Sequence, residues 1–383
     1  MKYPNLLSRT VAIAILLAVF SSHLTAGELK HFKTKIHDVI VREIMGGLEH
    51  PWGLDFLPNG SILITERSGD LILLAPGGKS TKVMGTPDVL ASGQGGLLDV
   101  KVDTDFNTTK KVFLTYSMPD KKNRKAATAV ASAFLSYDVK PHIHNLKVIF
   151  SQSKPTESGY HFGSRIVITP DNKLFVTIGD RGERDRAQDP FDHAGSIIRI
   201  NKNGSIPPDN PFFTNKRGLP EIWSIGHRNP QGAVWNPLTQ SLWTVAHGAK
   251  GGDELNEPRA GRNYGWPVIS YGRHYWGGKI GEGTHKSGLE QPVYFWDPSI
   301  APSGLEFYNG NKFPNWHGNL FVGALKYEMI VRLEIRNKTV IGEERLFSSS
   351  FGRIRDVKQG PDGYIYFLTD EVDGRLMRVE PNN

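Results

Sequence analysis

His161 and Asp180, near the two ends of GYHFGSRIVITPDNKLFVTIGDRG (159–182), are residue types suited to proton transfer. A carboxylate bonded to one imidazole nitrogen fixes the tautomer and leaves the other nitrogen as a base near neutral pH. Segments 164–169 and 173–178 are β-rich, with the turn signal Pro170-Asp171-Asn172 between them. A hairpin whose two-residue turn is Asp171-Asn172 sets Gly163 opposite Asp180, with His161 two residues beyond. Both side chains then emerge at its open end. They are either a base with its orienting carboxylate or the polar rim of a turn.

Cations occupy matching places elsewhere. In GRIRDV (352–357), Arg353 and Arg355 fall on one side of an extended segment. Two neighbouring guanidiniums repel unless they are solvated or share an anion. Arg228 in GHRNPQG (226–232) and Lys326 in ALKYEMIVRL (324–333) stand at equivalent ends of other hairpins. Burying such charges unpaired costs several kcal/mol each. A ligand rich in carboxylates or phosphates would relieve that cost; solvation at an exposed edge is the other reading of the arginine pair.

The stretch HGAKGGDELNEPRAGRNYGWP (247–267) offers a different chemistry. Gly248, Gly251 and Gly252 allow close backbone approach, and Asp253, Glu254 and Tyr264 present oxygens suited to a hard cation such as Ca²⁺. A solvated glycine-rich loop would look the same. The chain has no Walker loop, dinucleotide fingerprint, HExxH or G-x-S-x-G elbow.

The elements that must position these residues repeat. An apolar strand, a Pro/Asn/Asp/Gly turn and a second strand often ending in Thr recur six times, at 53–66, 100–116, 165–180, 232–248, 304–325 and 357–370. No long amphipathic helix separates the copies. Six similar hairpins with room for two more strands each predict an all-β, six-bladed β-propeller rather than a β-sandwich. Equivalent blade positions share one face, so the imidazole and the cations converge. Segments 181–222 and 249–300 are expected as insertions on the faces, and 38–44 as the strand that closes the last blade.

Composition narrows the class. A chain of 383 residues with 41 Gly and 24 Pro suits one large, turn-rich domain. Its net charge of +7 makes it only mildly basic for its length, which argues against nucleic acid. The absence of cysteine excludes disulfides, thiolate metal sites and a cysteine nucleophile. Residues 1–26 read as a secretory signal: Lys2 and Arg9 are followed by an apolar run over 11–20 that is too short to span a membrane. The mature chain, 27–383, is expected as one domain with no membrane span, periplasmic or secreted.

HPWGLDFLPNGSILITER, GQGGLLDV, the His161 segment, GHRNPQG, GGDELN, NYGWP, ALKYEMIVRL and GRIRDV, taken in this order, resemble the soluble quinoprotein sugar dehydrogenases of the glucose/sorbosone dehydrogenase family. The likeness spans roughly 40–380, and within the family it is nearest the aldose sugar dehydrogenases. It implies a propeller that binds pyrroloquinoline quinone (PQQ), a tricarboxylate, together with calcium, and oxidises a sugar at its anomeric carbon. By that resemblance His161 is the general base, Asp180 its orienting partner, and Arg228 with Asn229 lies beside the reactive quinone carbonyl. Gln94, Lys326, Arg353 and Arg355 match cofactor contacts. The carbonyls of Gly248 and Ala249 match the cofactor-calcium step, with Ala249 where the family carries proline. Asp253, Glu254 and Tyr264 resemble ligands of a further calcium. An external quinone or redox protein would reoxidise the cofactor. A calcium-dependent propeller hydrolase of lactonase type and a non-catalytic binding propeller are the alternative readings.

Overall fold

The computed structural model describes residues 29–120 and 124–382; the signal expected over 1–26 lies outside the described residues. The strands form six antiparallel sheets, five of four strands and one of five. Their innermost strands are Pro51–Phe56, Leu97–Val102, Ile166–Ile168, Pro230–Asn236, Pro302–Phe307 and Ile354–Gln359. Each packs against the next, and Ile354–Gln359 packs against Pro51–Phe56. This closed ring is a six-bladed β-propeller. The six sequence hairpins are the inner strand pairs of the six blades.

The ring is closed by chain ends. Asp38–Leu48 pairs with Gly374–Pro381 in blade six, which is the closure expected of 38–44. Leu29–Lys33 adds an outermost fifth strand that the sequence did not announce. Apolar side chains fill the wedges between blades, as where Leu63 and Leu71 of blade one meet Val100 and Leu114 of blade two. Each such side chain contributes about 1.5–3 kcal/mol when fully buried.

The recurrent threonine has a mechanical role. Thr115 donates to the carbonyl of Ser164 at 2.6 Å and Thr177 to that of Pro230 at 2.8 Å, each reaching the following blade. Thr65 does the same to Leu98. The recurrent acid one strand further in works in parallel: Asp55 accepts from the N–H of Val102, Asp99 from Ile166 and Asp356 from Leu54. Arg165, fully buried, bridges Asp99 at 3.0 Å and Asp356 at 2.9 Å, tying three blades together. The repeated phrase therefore encodes contacts between blades as well as strands within them.

Two expectations need correction. The blade-three hairpin turns through three residues, not two: Ile166 pairs with Val176 and Ile168 with Leu174, and Asn172 takes φ +60°. A three-residue loop with its last residue left-handed is a common hairpin solution, and asparagine tolerates it. Segments 181–222 and 249–300 are not wholly face insertions. They contain the outer strands Ile197–Asn201, Asp253–Asn256 and Tyr294–Trp296, and 181–222 runs into the outer strand Ile222–Ser224. Strands of three to five residues are too short to leave a legible period. Among the described residues, no helix is long and apolar enough to cross a membrane.

Candidate active site

His161 precedes the innermost strand of blade three, and Asp180 follows the second strand. The one-residue shift in register leaves them together: His161 Nδ1 lies 2.6 Å from Asp180 Oδ1. An ionised carboxylate only accepts, so Nδ1 carries the proton and Nε2 keeps its lone pair. The loop is forced into place. His161 has φ +55°, a left-handed conformation that a non-glycine residue holds only under support. Its N–H donates to Gln94 Oε1 at 2.8 Å. Gly179 lets the chains touch, since a Cβ there would sit 2.0 Å from the His161 carbonyl oxygen. Arg181 grips the same loop, bonding the carbonyls of Ser158 and Tyr160 with its guanidinium over the Phe162 ring.

Electrostatics suit a base. Burial holds the His161 imidazole below its ordinary range; the bond to Asp180 opposes this, and Arg228 adds to it. Burial disfavours the Asp180 carboxylate, but the His161 bond, Arg228 and the Gly182 N–H outweigh it and keep the acid below its usual range. Asp180 Oδ1 also accepts from Gly182 N–H, and Oδ2 accepts from Trp266 Nε1 at 2.8 Å.

A cavity of about 460 Å³ opens at the channel end where the inner strands begin. Gln94, Gln231, His247, Leu325, Arg353 and Arg355 are among its lining residues, together with His50, Trp52, Arg67 and Asp370. His161 adjoins this wall through its bond to Gln94. Arg228 donates to the His247 carbonyl at 3.2 Å and lies 5.3 Å from the Trp266 ring. Asn229 is fully buried and accepts from Gly163 N–H at 3.1 Å. Burial, reinforced by Arg228 and Arg355, pushes His247 down to about 3, leaving a neutral ring. Arg353 and Arg355 do share an anion, and it is Asp370: Arg355 bonds its Oδ2, and Arg353 approaches to 3.7 Å.

That shared carboxylate does not satisfy every donor. Arg67 Nε, Arg355 Nε and Asn229 Nδ2 are buried with no hydrogen-bond partner. Buried donors left unpaired are costly, and carboxylate or quinone oxygens would satisfy them. The residues present therefore fit a planar polyanion such as PQQ. Lys326 stands apart from the lining; it is exposed, its ammonium 4.8 Å from the Tyr327 ring.

The glycine-rich stretch divides. The Ala249 carbonyl accepts from Arg273 N–H at 2.9 Å, and a carbonyl oxygen has a second lone pair for a cation. The structure does not gather Asp253, Glu254 and Tyr264 into a ligand set. Asp253 and Glu254 lie on a strand whose side chains alternate in direction. Asp253 accepts four protein bonds, from Gly248 N–H, Ser299 Oγ, and the N–H groups of Ile300 and Ala301. The Tyr264 hydroxyl donates to the Glu257 carbonyl and accepts from Arg259 N–H. Burial raises Glu254 to about 7. Among the described residues, no group of three or more His, Cys, Asp or Glu side chains is placed to hold a metal.

The glucose/sorbosone dehydrogenase profile matches residues 48–378. This chain belongs to the glucose/sorbosone dehydrogenase family. Aldose sugar dehydrogenase YliI of Escherichia coli is 43% identical over 349 residues, covering 90% of this chain and 94% of that protein. The crystal structure of the soluble E. coli aldose sugar dehydrogenase in the apo-form superposes with a TM-score of 0.87 at 42% identity, covering 90% of this chain and 100% of the other. The PQQ-bound form of aldose sugar dehydrogenase from Streptomyces coelicolor superposes at 0.75 and 25% identity, covering 92% and 98%. This member of the family is thus an oxidoreductase built on a propeller.

Sequence reasoning missed several residues of the site: His50, Arg67, Gln231, His247, Trp266 and Asp370. One signal was available. Asp370 follows Thr369 as Glu66 follows Thr65, so the repeat itself marks an acid at the blade's cavity end.

Proposed function

We propose that this protein oxidises aldose sugars at C1 to the lactone, using PQQ and calcium, with His161 as general base. The carrying observation is the His161–Asp180 pair, 2.6 Å apart, beside a cavity whose Arg67 and Arg355 carry unpartnered guanidinium nitrogens. The PQQ-bound Streptomyces relative and the E. coli aldose sugar dehydrogenase support the cofactor and the substrate class.

Gln94, Arg228, Asn229, Arg353 and Arg355 would hold PQQ, with Lys326 exposed outside the lining, and the carbonyls of Gly248 and Ala249 would hold calcium. When bound there, PQQ supplies a hydride acceptor whose quinone oxygens calcium polarises. The protein does the rest. His161 Nε2 takes the proton of the C1 hydroxyl, and loss of hydride from C1 leaves the lactone carbonyl. Asp180 keeps Nδ1 protonated and stabilises the imidazolium that forms. Arg228 places positive charge where negative charge develops. An external quinone or redox protein then removes the electrons. Residues 1–26 direct the chain to the periplasm or outside the cell, and 27–383 act as one domain.

The test is reconstitution. Metal-free protein is mixed with PQQ, with and without Ca²⁺, and dye reduction is followed across a panel of aldoses. Turnover that requires both additions is the expected result; dye reduction independent of PQQ, or no turnover with any aldose, overturns the reading.

A further inference from the structure

Trp266 joins three parts of the site. Its indole Nε1–H donates to Asp180 Oδ2 at 2.8 Å, while Asp180 Oδ1 faces His161. The face of the same ring lies 5.3 Å from the Arg228 guanidinium. Its side chain packs with Ala187, Ala249 and Ile280. The backbone is pinned as well, N–H to the Gly226 carbonyl at 3.0 Å and carbonyl to Gln188 Nε2 at 2.7 Å. The residue is 9% exposed.

We infer that Trp266 is the positioning residue of the proton-transfer pair, holding the Asp180 carboxylate in the rotation that presents Oδ1 to His161 and setting Arg228 beside it. A carboxylate turns about one bond. With a single oxygen anchored it could offer either edge to the imidazole; a rigid indole N–H on the second oxygen removes that freedom. The donor is neutral, so it orients Asp180 without cancelling its charge. The ring also gives Arg228 a surface to lie on, while both oxygens of the carboxylate are taken by His161, Gly182 and Trp266. The inference rests on the reading of His161 as base, yet its geometry is testable without turnover.

The first measurement is solvent exchange of the His161 Nδ1 proton by NMR in protein without cofactor, with the resonance assigned by its loss in His161→Gln. Trp266→Phe removes the N–H and keeps a ring; replacing Trp266 with benzothienylalanine removes the N–H and keeps the shape, so folding is preserved. Both should speed exchange about tenfold, the worth of one ordinary hydrogen bond. In reconstituted enzyme both should lower kcat by a similar factor with KM and PQQ affinity unchanged. In an Asp180→Ala background they should lower kcat no further, because Trp266 acts through Asp180. Unchanged exchange in the isosteric variant, or an equal loss of kcat in the Asp180→Ala background, overturns the proposal. If the wild-type protein turns over no aldose, the base reading falls and the exchange result alone decides the role of Trp266.

Discussion

Blades three and six each place an aspartate after the second strand, and each aspartate meets a histidine Nδ1. Asp180 and His161 are 2.6 Å apart; Asp370 and His50 are 3.0 Å apart. The difference lies on the second oxygen. In blade three it takes the neutral indole N–H of Trp266. In blade six it takes Arg355, with Arg353 close by. Burial disfavours the Asp370 carboxylate, but Arg355 and its hydrogen bond overcome that and hold the acid well below the usual range. Its charge is spent on guanidiniums. Two His–Asp pairs of the same composition thus have different surroundings: one is held by a neutral donor, and the other anchors cations at the wall of a cavity.

The largest effect should come from breaking each pair at its histidine. His161→Ala is expected to lower kcat roughly 10²–10⁴-fold with PQQ affinity retained, whereas His50→Ala changes kcat only a few-fold. Steady-state kinetics with a parallel PQQ titration check this, and comparable losses would erase the distinction between the blades.

Next come the guanidiniums. Arg355→Ala leaves Asp370 buried without its main partner and should cost about 3–5 kcal/mol in urea unfolding, besides weakening PQQ binding. Arg353 is 47% exposed, so Arg353→Ala should cost under ~1 kcal/mol of stability while still weakening PQQ. Equal stability losses would show that Asp370 does not discriminate between them.

Glu254 sharpens the contrast from the other side, as a half-buried carboxylate whose Oε2 accepts from the Asn256 amide rather than from a cation. Burial raises it to about 7 from 4.5. A raised acid contributes stability fully below the unfolded value, and that contribution is lost as pH rises through about 7. Glu254→Gln should therefore stabilise the metal-free protein at pH ~8 relative to pH ~5, by a few kcal/mol at ~1.4 per pKa unit. Thermal melts at the two pH values decide it. Calcium that raises the wild-type Tm but not that of Glu254→Gln would restore a cation to this strand.

The smallest effect tests the same logic in neutral groups. Thr177 clasps Pro230 of the next blade, but the equivalent Thr244 hydroxyl is buried with no partner. Thr177→Val should cost about 1 kcal/mol, and Thr244→Val close to nothing.

Much of this was legible along the chain. The six hairpins, the closing strand and the meeting of His161 with Asp180 follow from local turn chemistry and the period of two, which act over a few residues. The exact register did not, because Pro170-Asp171-Asn172 suits a two- or a three-residue turn, and the chain takes the longer one with Asn172 left-handed. Asp253 shows what lies beyond local reading. Its residue type suited a cation, yet Ser299, Ile300 and Ala301 arrive from far along the chain to claim its oxygens.

By itself the sequence determined the propeller, the meeting of His161 with Asp180 and the placing of Arg353 and Arg355 at one channel end. Repetition makes blade positions equivalent, and equivalence places residues on one face whatever the details of packing. Only the tertiary structure decided which carboxylate meets a neutral donor and which meets a guanidinium. Trp266 reaches Asp180 across 86 positions, and Gln231 reaches Arg355 across 124. Such partners are chosen by how the ring closes, and a charge takes its chemical role from them.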